Sequence, residues 1–344
     1  MFRNVICLSL ILAMLLSGCT VPMEAASNKQ YQATFLELFD TVTSIVGYAD
    51  SEESFREKIR PVYDELQVCH QLFDIYNNYE GINNLKTIND QAGQAPVEVD
   101  GRIIQLLLDC REYYEVTDGK VNAAMGSVLQ LWHEARSAGL EEPENAKLPD
   151  DVALKAAGAH MDFDAVVIDE TASTVYISDA KLQLDVGAIA KGWATERAAE
   201  AAPSGILISV GGNVRVTGPK EGTHSPWVIG LQKPDGEAEE YLHAILVSGG
   251  SVVTSGDYQR TYTVDGKKYH HIIDPETLYP SEHWRSVTIV CEDSGVADAL
   301  STALFLLTME EGQALLENYG AMAMWVDADE NIYYSAGFED LIRS

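Results

Sequence analysis

The 344-residue sequence predicts an α+β fold of mostly antiparallel sheets flanked by helices. Three observations lead there. Helical spacing of apolar residues dominates the N-terminal part of the chain. After Met161 short strand-like runs take over, separated by turns rich in Asp and Gly. No Gly-x-Gly-x-x-Gly follows a first strand, which argues against a doubly wound dinucleotide-binding sheet.

Residues 1–18 read as a leader. Arg3 gives a short positive start, and Val5 to Leu16 form an apolar run of about a dozen residues, shorter than the roughly 20 needed to cross a bilayer. The run ends in Leu16-Ser17-Gly18-Cys19, small residues before a cysteine, as in bacterial lipoprotein precursors. The expectation is cleavage before Cys19, a lipid on its sulfur, a polar tether over 19–30 and one domain over 31–344. This predicts a lipid-anchored protein on the extracytoplasmic face of a bacterial cell membrane. A plain secretory signal with a chance cysteine is the alternative.

Gln32 to Tyr48 alternates as a strand pair. Helices are expected over Glu53 to Tyr76, where Phe55, Ile59, Val62, Leu66, Cys69 and Phe73 recur three or four apart, over Val99 to Thr117, and over Val128 to Ala138. Ala165 to Asp169, Thr174 to Ile177 and Leu182 to Asp185 read as strands, Lys191 to Ala201 as a helix and Ile206 to Val210 as a buried strand. Hairpins follow, Trp227 to Val247 and then Arg260 to Ile273 turning at Asp265-Gly266. Val287 to Val290 is a strand, Val296 to Met309 a long apolar helix, and strands near Met322 to Val326 and Ile332 to Tyr334 close the chain.

The net charge is −30, with 53 acidic against 23 basic residues. That argues against nucleic acid and against electrostatic adhesion to anionic lipid as modes of binding. Much of the charge serves solubility; a polyanionic substrate would need a cation to neutralise it locally. Cys69, Cys110 and Cys291 lack any metal-ligand spacing and read as small buried hydrophobes.

Several constellations can carry chemistry. Asp298 and Thr302 lie four apart on a predicted helix, one turn from each other with Cβ atoms roughly 5–6 Å apart. A carboxylate and a hydroxyl so placed can share a hard cation such as Mg²⁺, or Asp298 can simply sit at a helix N-terminus. Asp185-Val-Gly-Ala-Ile-Ala-Lys-Gly192 is a strand-to-helix turn able to bring backbone close to a ligand. Ser209-Val-Gly-Gly-Asn213 can line a phosphate or merely turn. Of His270 and His271 strand alternation sends one into a cleft, where imidazole is the natural base, and one to solvent; a surface pair is the plainer reading. Ser255 to Arg260 adds polar groups nearby.

In order, the lipobox, Thr117-Asp-Gly-Lys-Val-Asn122, Asp185 to Gly192, Ser209 to Asn213, Thr254-Ser-Gly-Asp-Tyr258, His271-Ile-Ile-Asp-Pro275 and Ala297-Asp-Ala-Leu-Ser-Thr302 resemble the ApbE family of FAD:protein FMN transferases. The resemblance runs from about Phe39 to the C-terminus. It implies an ApbE-like fold and an enzyme that moves FMN from FAD to a Thr or Ser hydroxyl of a separate acceptor flavoprotein, releasing AMP. Its metal site, for Mg²⁺, would fall on the Ala188 carbonyl, Asp298 and Thr302. Flavin contacts would fall on Asp185, Lys191 and Ile272, and also on Phe39, Tyr76, Lys120, Val121 and Asn122. His271 would be the catalytic base, with Asp257 the carboxylate alternative. Phe39-Asp40-Thr41 departs from the Met-Gly-Thr of many members, and Asn122 stands where many have Asp. An FAD pyrophosphatase with water as nucleophile, or a flavin-binding lipoprotein without turnover, would share these motifs.

Overall fold

The computed structural model describes residues 28–221, 224–236 and 240–344. The expected leader and Cys19 lie outside the described residues. The chain opens with β1 (Lys29–Phe35), β2 (Thr43–Ala49), α1 (Glu52–Phe73), α2 (Leu85–Asp90), β3 (Val97–Glu98), α3 (Gly101–Val116), α4 (Gly126–Glu141) and α5 (Asp151–Gly158). It continues through β4 (Val166–Asp169), β5 (Thr174–Ile177), α6 (Ala190–Glu200), β6 (Leu207–Val210), β7 (Asn213–Val216), β8 (Trp227–Gln232), β9 (Tyr241–Val247) and β10 (Gly250–Gly256). Then come β11 (Tyr262–Val264), β12 (Lys267–Tyr269), β13 (Ser286–Cys291), α7 (Ser294–Leu306), α8 (Met309–Tyr319), β14 (Met322–Val326) and β15 (Ile332–Tyr334).

Eight strands form the main sheet in the order β1-β2-β6-β7-β10-β13-β14-β15, every neighbouring pair antiparallel. β13 is buried along its whole length because both faces are covered. Its Val287, Ile289 and Cys291 join the core beneath α1, α3, α6 and α7, while Val290 packs with Trp227, Ile229 and Leu231 of the β8–β9 hairpin. A third, smaller core ties α4 and α5 to the β11–β12 hairpin through Val128, Trp132, Leu154, Tyr262 and Val264. That hairpin turns at Asp265-Gly266, both at positive φ (50° and 82°), the backbone a two-residue turn of this hand demands.

The α+β expectation stands, and several boundaries move. The strand begins inside the expected tether, because Lys29 and Gln30 pair with Ala49 and Tyr48. The expected helix over Val296 to Met309 is α7, which begins two residues earlier and ends at Leu306, while Met309 opens a second helix, α8. Thr308 caps the second, its hydroxyl accepting from Glu311 N (3.4 Å) while the Glu311 carboxylate accepts from Thr308 N (3.0 Å). Leu182 to Asp185 forms no strand, only a parallel bridge from Gln183 to Met125. The strands β7 and β10 and the helices α2 and α5 were not legible from periodicity. Cys69, Cys110 and Cys291 are buried free thiols, as expected of small hydrophobes.

Candidate active site

A cleft opens where α4 and the β11–β12 hairpin face the N-terminal half of α7 and the turn entering α6. Its walls include Tyr76, Lys120, Val121, Asn122, Asp185, Ala188, Lys191, His271, Ile272, Asp298 and Thr302. Eleven of the twelve residues expected at the flavin, metal and base positions are therefore drawn to one place, from five separate stretches of chain. Phe39 is the exception. It holds a left-handed backbone (φ 55°), donates its N–H to His70 Nδ1 (3.2 Å) and packs edge-on against that ring, while Thr41 lines the cleft instead.

The pairing of α6 with α7 builds the floor. Gly192 lets the helices meet: a Cβ there would lie 2.2 Å from the Ser294 carbonyl oxygen and 2.5 Å from Asp298 Cβ. The Gly192 N–H, an unpaired donor of the first turn of α6, goes to Asp298 Oδ2 at 2.8 Å. Lys191 Nζ stands 3.6 Å from the same oxygen. Asp298 is only 4% exposed, and burial pushes its carboxyl above the usual range against the Lys191 ammonium, the Gly192 N–H and the Asn213 amide. Asn213 Nδ2 is buried without a hydrogen bond of good geometry, so it acts on Asp298 as a nearby dipole.

The donors here are oxygens: one buried carboxylate, the Thr302 hydroxyl and the Ala188 carbonyl at the mouth of α6. Such a set fits a hard divalent cation that keeps water or phosphate oxygens as its remaining ligands. Among the described residues no group of three His, Cys, Asp or Glu side chains offers a rival metal site.

The two histidines lie just beyond β12 rather than on it, and both line the cleft. His270 is spoken for at both nitrogens, Nε2 against the Ser281 carbonyl (2.8 Å) and Nδ1 accepting from Ile272 N (3.2 Å). His271 is different. Its Nδ1 meets the Gln259 carbonyl at 3.2 Å, and a carbonyl can only accept, so Nδ1 carries the proton and Nε2 keeps a lone pair. Burial, then Arg260, His270, Lys191 and Arg136 in turn, push the imidazole down to about 3, and it is neutral at ordinary pH.

Other expected contacts carry structural loads as well. Asn122 donates to the Met161 carbonyl (2.9 Å) and accepts from Ala124 N (2.8 Å), a pairing an ionised Asp could not complete. Lys120 is tied to Asp274 (3.2 Å) and Glu276 (3.1 Å). Asp185 accepts from Gly187 N at 2.8 Å, and burial raises its carboxyl. Asp257 is not among the residues lining the cleft, and Arg285 Nε holds it at 3.1 Å. Tyr76 is 55% exposed at the cleft with its ring 5.5 Å from that of His133. Sequence reasoning missed Arg136 and His133 on α4, read only as an amphipathic helix, and gave Arg260 no role of its own.

A cleft lined by Lys and Arg side chains, a buried carboxylate with a hydroxyl and a backbone carbonyl on the same lining, and a tautomer-fixed imidazole, set in an antiparallel α+β frame, define a site suited to a phosphorylated ligand. The chain belongs to the ApbE family, whose model matches residues 39–325. It is 36% identical over 277 residues to the FAD:protein FMN transferase of Treponema pallidum (75% of each chain). It is 32% identical over 282 residues to that of Klebsiella pneumoniae (78% of this chain, 85% of the relative). The crystal structure of the ApbE protein of Thermotoga maritima superposes with a TM-score of 0.80 at 31% identity, covering 92% of this chain and 100% of that one.

Proposed function

We propose that this chain takes FMN from FAD and joins it by a phosphoester to a Thr or Ser hydroxyl of another protein, releasing AMP in a Mg²⁺-dependent reaction. The names of its relatives support the transfer. The observation that carries it here is His271 Nε2, unprotonated and in the same cleft as Asp298, Thr302 and the Ala188 carbonyl.

In this reading the acceptor O–H gives its proton to His271 Nε2 as its oxygen attacks the FMN phosphorus. The bond from that phosphorus to the AMP oxygen breaks, and AMP leaves. Ala188, Asp298 and Thr302 would hold the cation, which supplies charge neutralisation to the pyrophosphate. Lys191, Asp185 and Ile272 would orient the dinucleotide, together with Tyr76, Lys120, Val121 and Asn122 of the same cleft. Cys19 would carry the lipid that keeps the domain on the extracytoplasmic face of the membrane, near flavoprotein acceptors.

Protein lacking the leader, mixed with FAD, Mg²⁺ and a candidate acceptor fragment, should yield denaturation-resistant flavin fluorescence and the mass of FMN on the acceptor. Asp298→Ala should abolish labelling and its metal dependence. His271→Ala should still bind FAD but label on the order of 10²–10⁴-fold more slowly. Labelling by His271→Ala at the wild-type rate would remove the base assignment. Release of free FMN at equal rates with and without acceptor would replace transfer by pyrophosphate hydrolysis.

A further inference from the structure

We propose that Arg136 and Arg260 form a two-pronged phosphate clamp beside His271, gripping the pyrophosphate bridge of the dinucleotide. The identity of the substrate rests on the transferase reading; the anion site rests on the geometry of the cleft.

Arg136 belongs to α4 and Arg260 to the loop after β10, and both side chains line the cleft. The small third core brings them together. Trp132 stacks on Tyr269 with centroids 6.1 Å apart, and Tyr262 packs so closely on α4 that a Cβ at Gly139 would lie 2.8 Å from its ring. The two guanidinium groups feel each other, since burial and then Arg260 lower the Arg136 value. Arg56, Arg102, Arg197, Arg215 and Arg285 each pair with a carboxylate. Among the described residues Arg136 and Arg260 do not, and neither do the exposed Arg60 and Arg343 nor Arg111, which donates to the Val166 carbonyl; only Arg136 and Arg260 of these line the cleft. Arg136 instead donates to His133 Nδ1 at 3.0 Å.

In a chain with 53 acidic residues, two arginines on one cleft, neither ion-paired with a described carboxylate and only Asp185 feeling the field of Arg260, offer guanidinium donors that an anion can take up. The other cations of the cleft are already engaged, Lys120 by Asp274 and Glu276 and Lys191 against Asp298. The backbone points the same way. Arg260 holds a left-handed φ of 48°, a conformation unfavourable for a residue with a side chain. Arg260 directly follows Gln259, whose carbonyl fixes the His271 tautomer, and it shares the cleft lining with His271. A phosphoryl group held there would stand beside the base.

Titration calorimetry in metal-free buffer tests this with inorganic pyrophosphate and, separately, riboflavin, which has no phosphate. Arg136→Gln, Arg260→Gln and Arg260→Gly (which keeps the left-handed turn) should each weaken pyrophosphate binding about tenfold or more, leaving riboflavin binding unchanged. Arg56→Gln, exposed on α1, should change neither. Wild-type protein that ignores pyrophosphate, variants that bind it normally, or riboflavin affinity that falls in parallel would each overturn the clamp. Neither ligand requires turnover. Intact arginine-dependent pyrophosphate binding without FMN transfer would therefore sink the transferase reading alone, and the reverse pattern would sink the clamp alone.

Discussion

His270 and His271 are consecutive, yet hydrogen bonding sorts them into different tasks. The first is locked between Ser281 and Ile272 and packs edge-on against Phe305; the second keeps one nitrogen free. The depressed value of His271 has a consequence for stability. An unfolded histidine titrates near 6.5, whereas the folded one is pushed down to about 3. Between those limits the unfolded chain binds the extra proton, so His271 costs stability increasingly as pH falls from about 6.5 toward 3. Asp185 and Asp298, raised by burial, work in the opposite direction and are shared by wild type and variant. Urea melts of wild type and His271→Gln at pH 7 and pH 5 should show the variant gaining stability relative to wild type at the lower pH. Equal differences at both pH values would mean that His271 is not held neutral by the fold.

The elements show why some of the site was legible in the sequence and some was not. The Asp298 to Thr302 spacing and the Asp185 to Gly192 turn are local patterns, and each survives into the structure because it lies within one helix or one turn. The contact between α6 and α7 is not local, and only Gly192 hints at it. Gly192→Ala should force the helices apart, costing roughly 1–3 kcal/mol as overpacking does. It should also raise the Mg²⁺ concentration needed for labelling, because Asp298 moves with the seam; a normal melting temperature would show that the seam tolerates the methyl. The Thr308 and Glu311 capping box was readable three residues apart, but the apolar run of α7 masked it. Thr308→Ala should lower stability by about 1 kcal/mol without changing labelling. β7, β10 and the Arg136–Arg260 pair stayed hidden for a common reason: each depends on partners distant in sequence, supplied by the sheet order or by the third core.

At the scale of the whole molecule two electrostatic fields oppose each other. The chain carries −30 overall, while the cleft gathers Lys191, Arg136 and Arg260. Which field an approaching dinucleotide feels depends on the Debye length, about 30 Å at 0.01 M salt and about 10 Å at 0.1 M. At low salt the anionic ligand meets the summed negative surface before it meets the cleft. At moderate salt the distant carboxylates are screened, and only the cationic wall within a Debye length still acts on it. Association of FAD should therefore accelerate, by a factor of about 2–10, as salt rises from 0.01 to 0.1 M, the opposite of ordinary electrostatic steering between unlike charges. Stopped-flow quenching of flavin fluorescence reads this rate directly, and Arg136→Gln should leave the direction of the salt effect intact while speeding dissociation. A rate that falls monotonically over that range would mean that the cleft's field already dominates at long distance and that the acidic exterior imposes no barrier to the ligand.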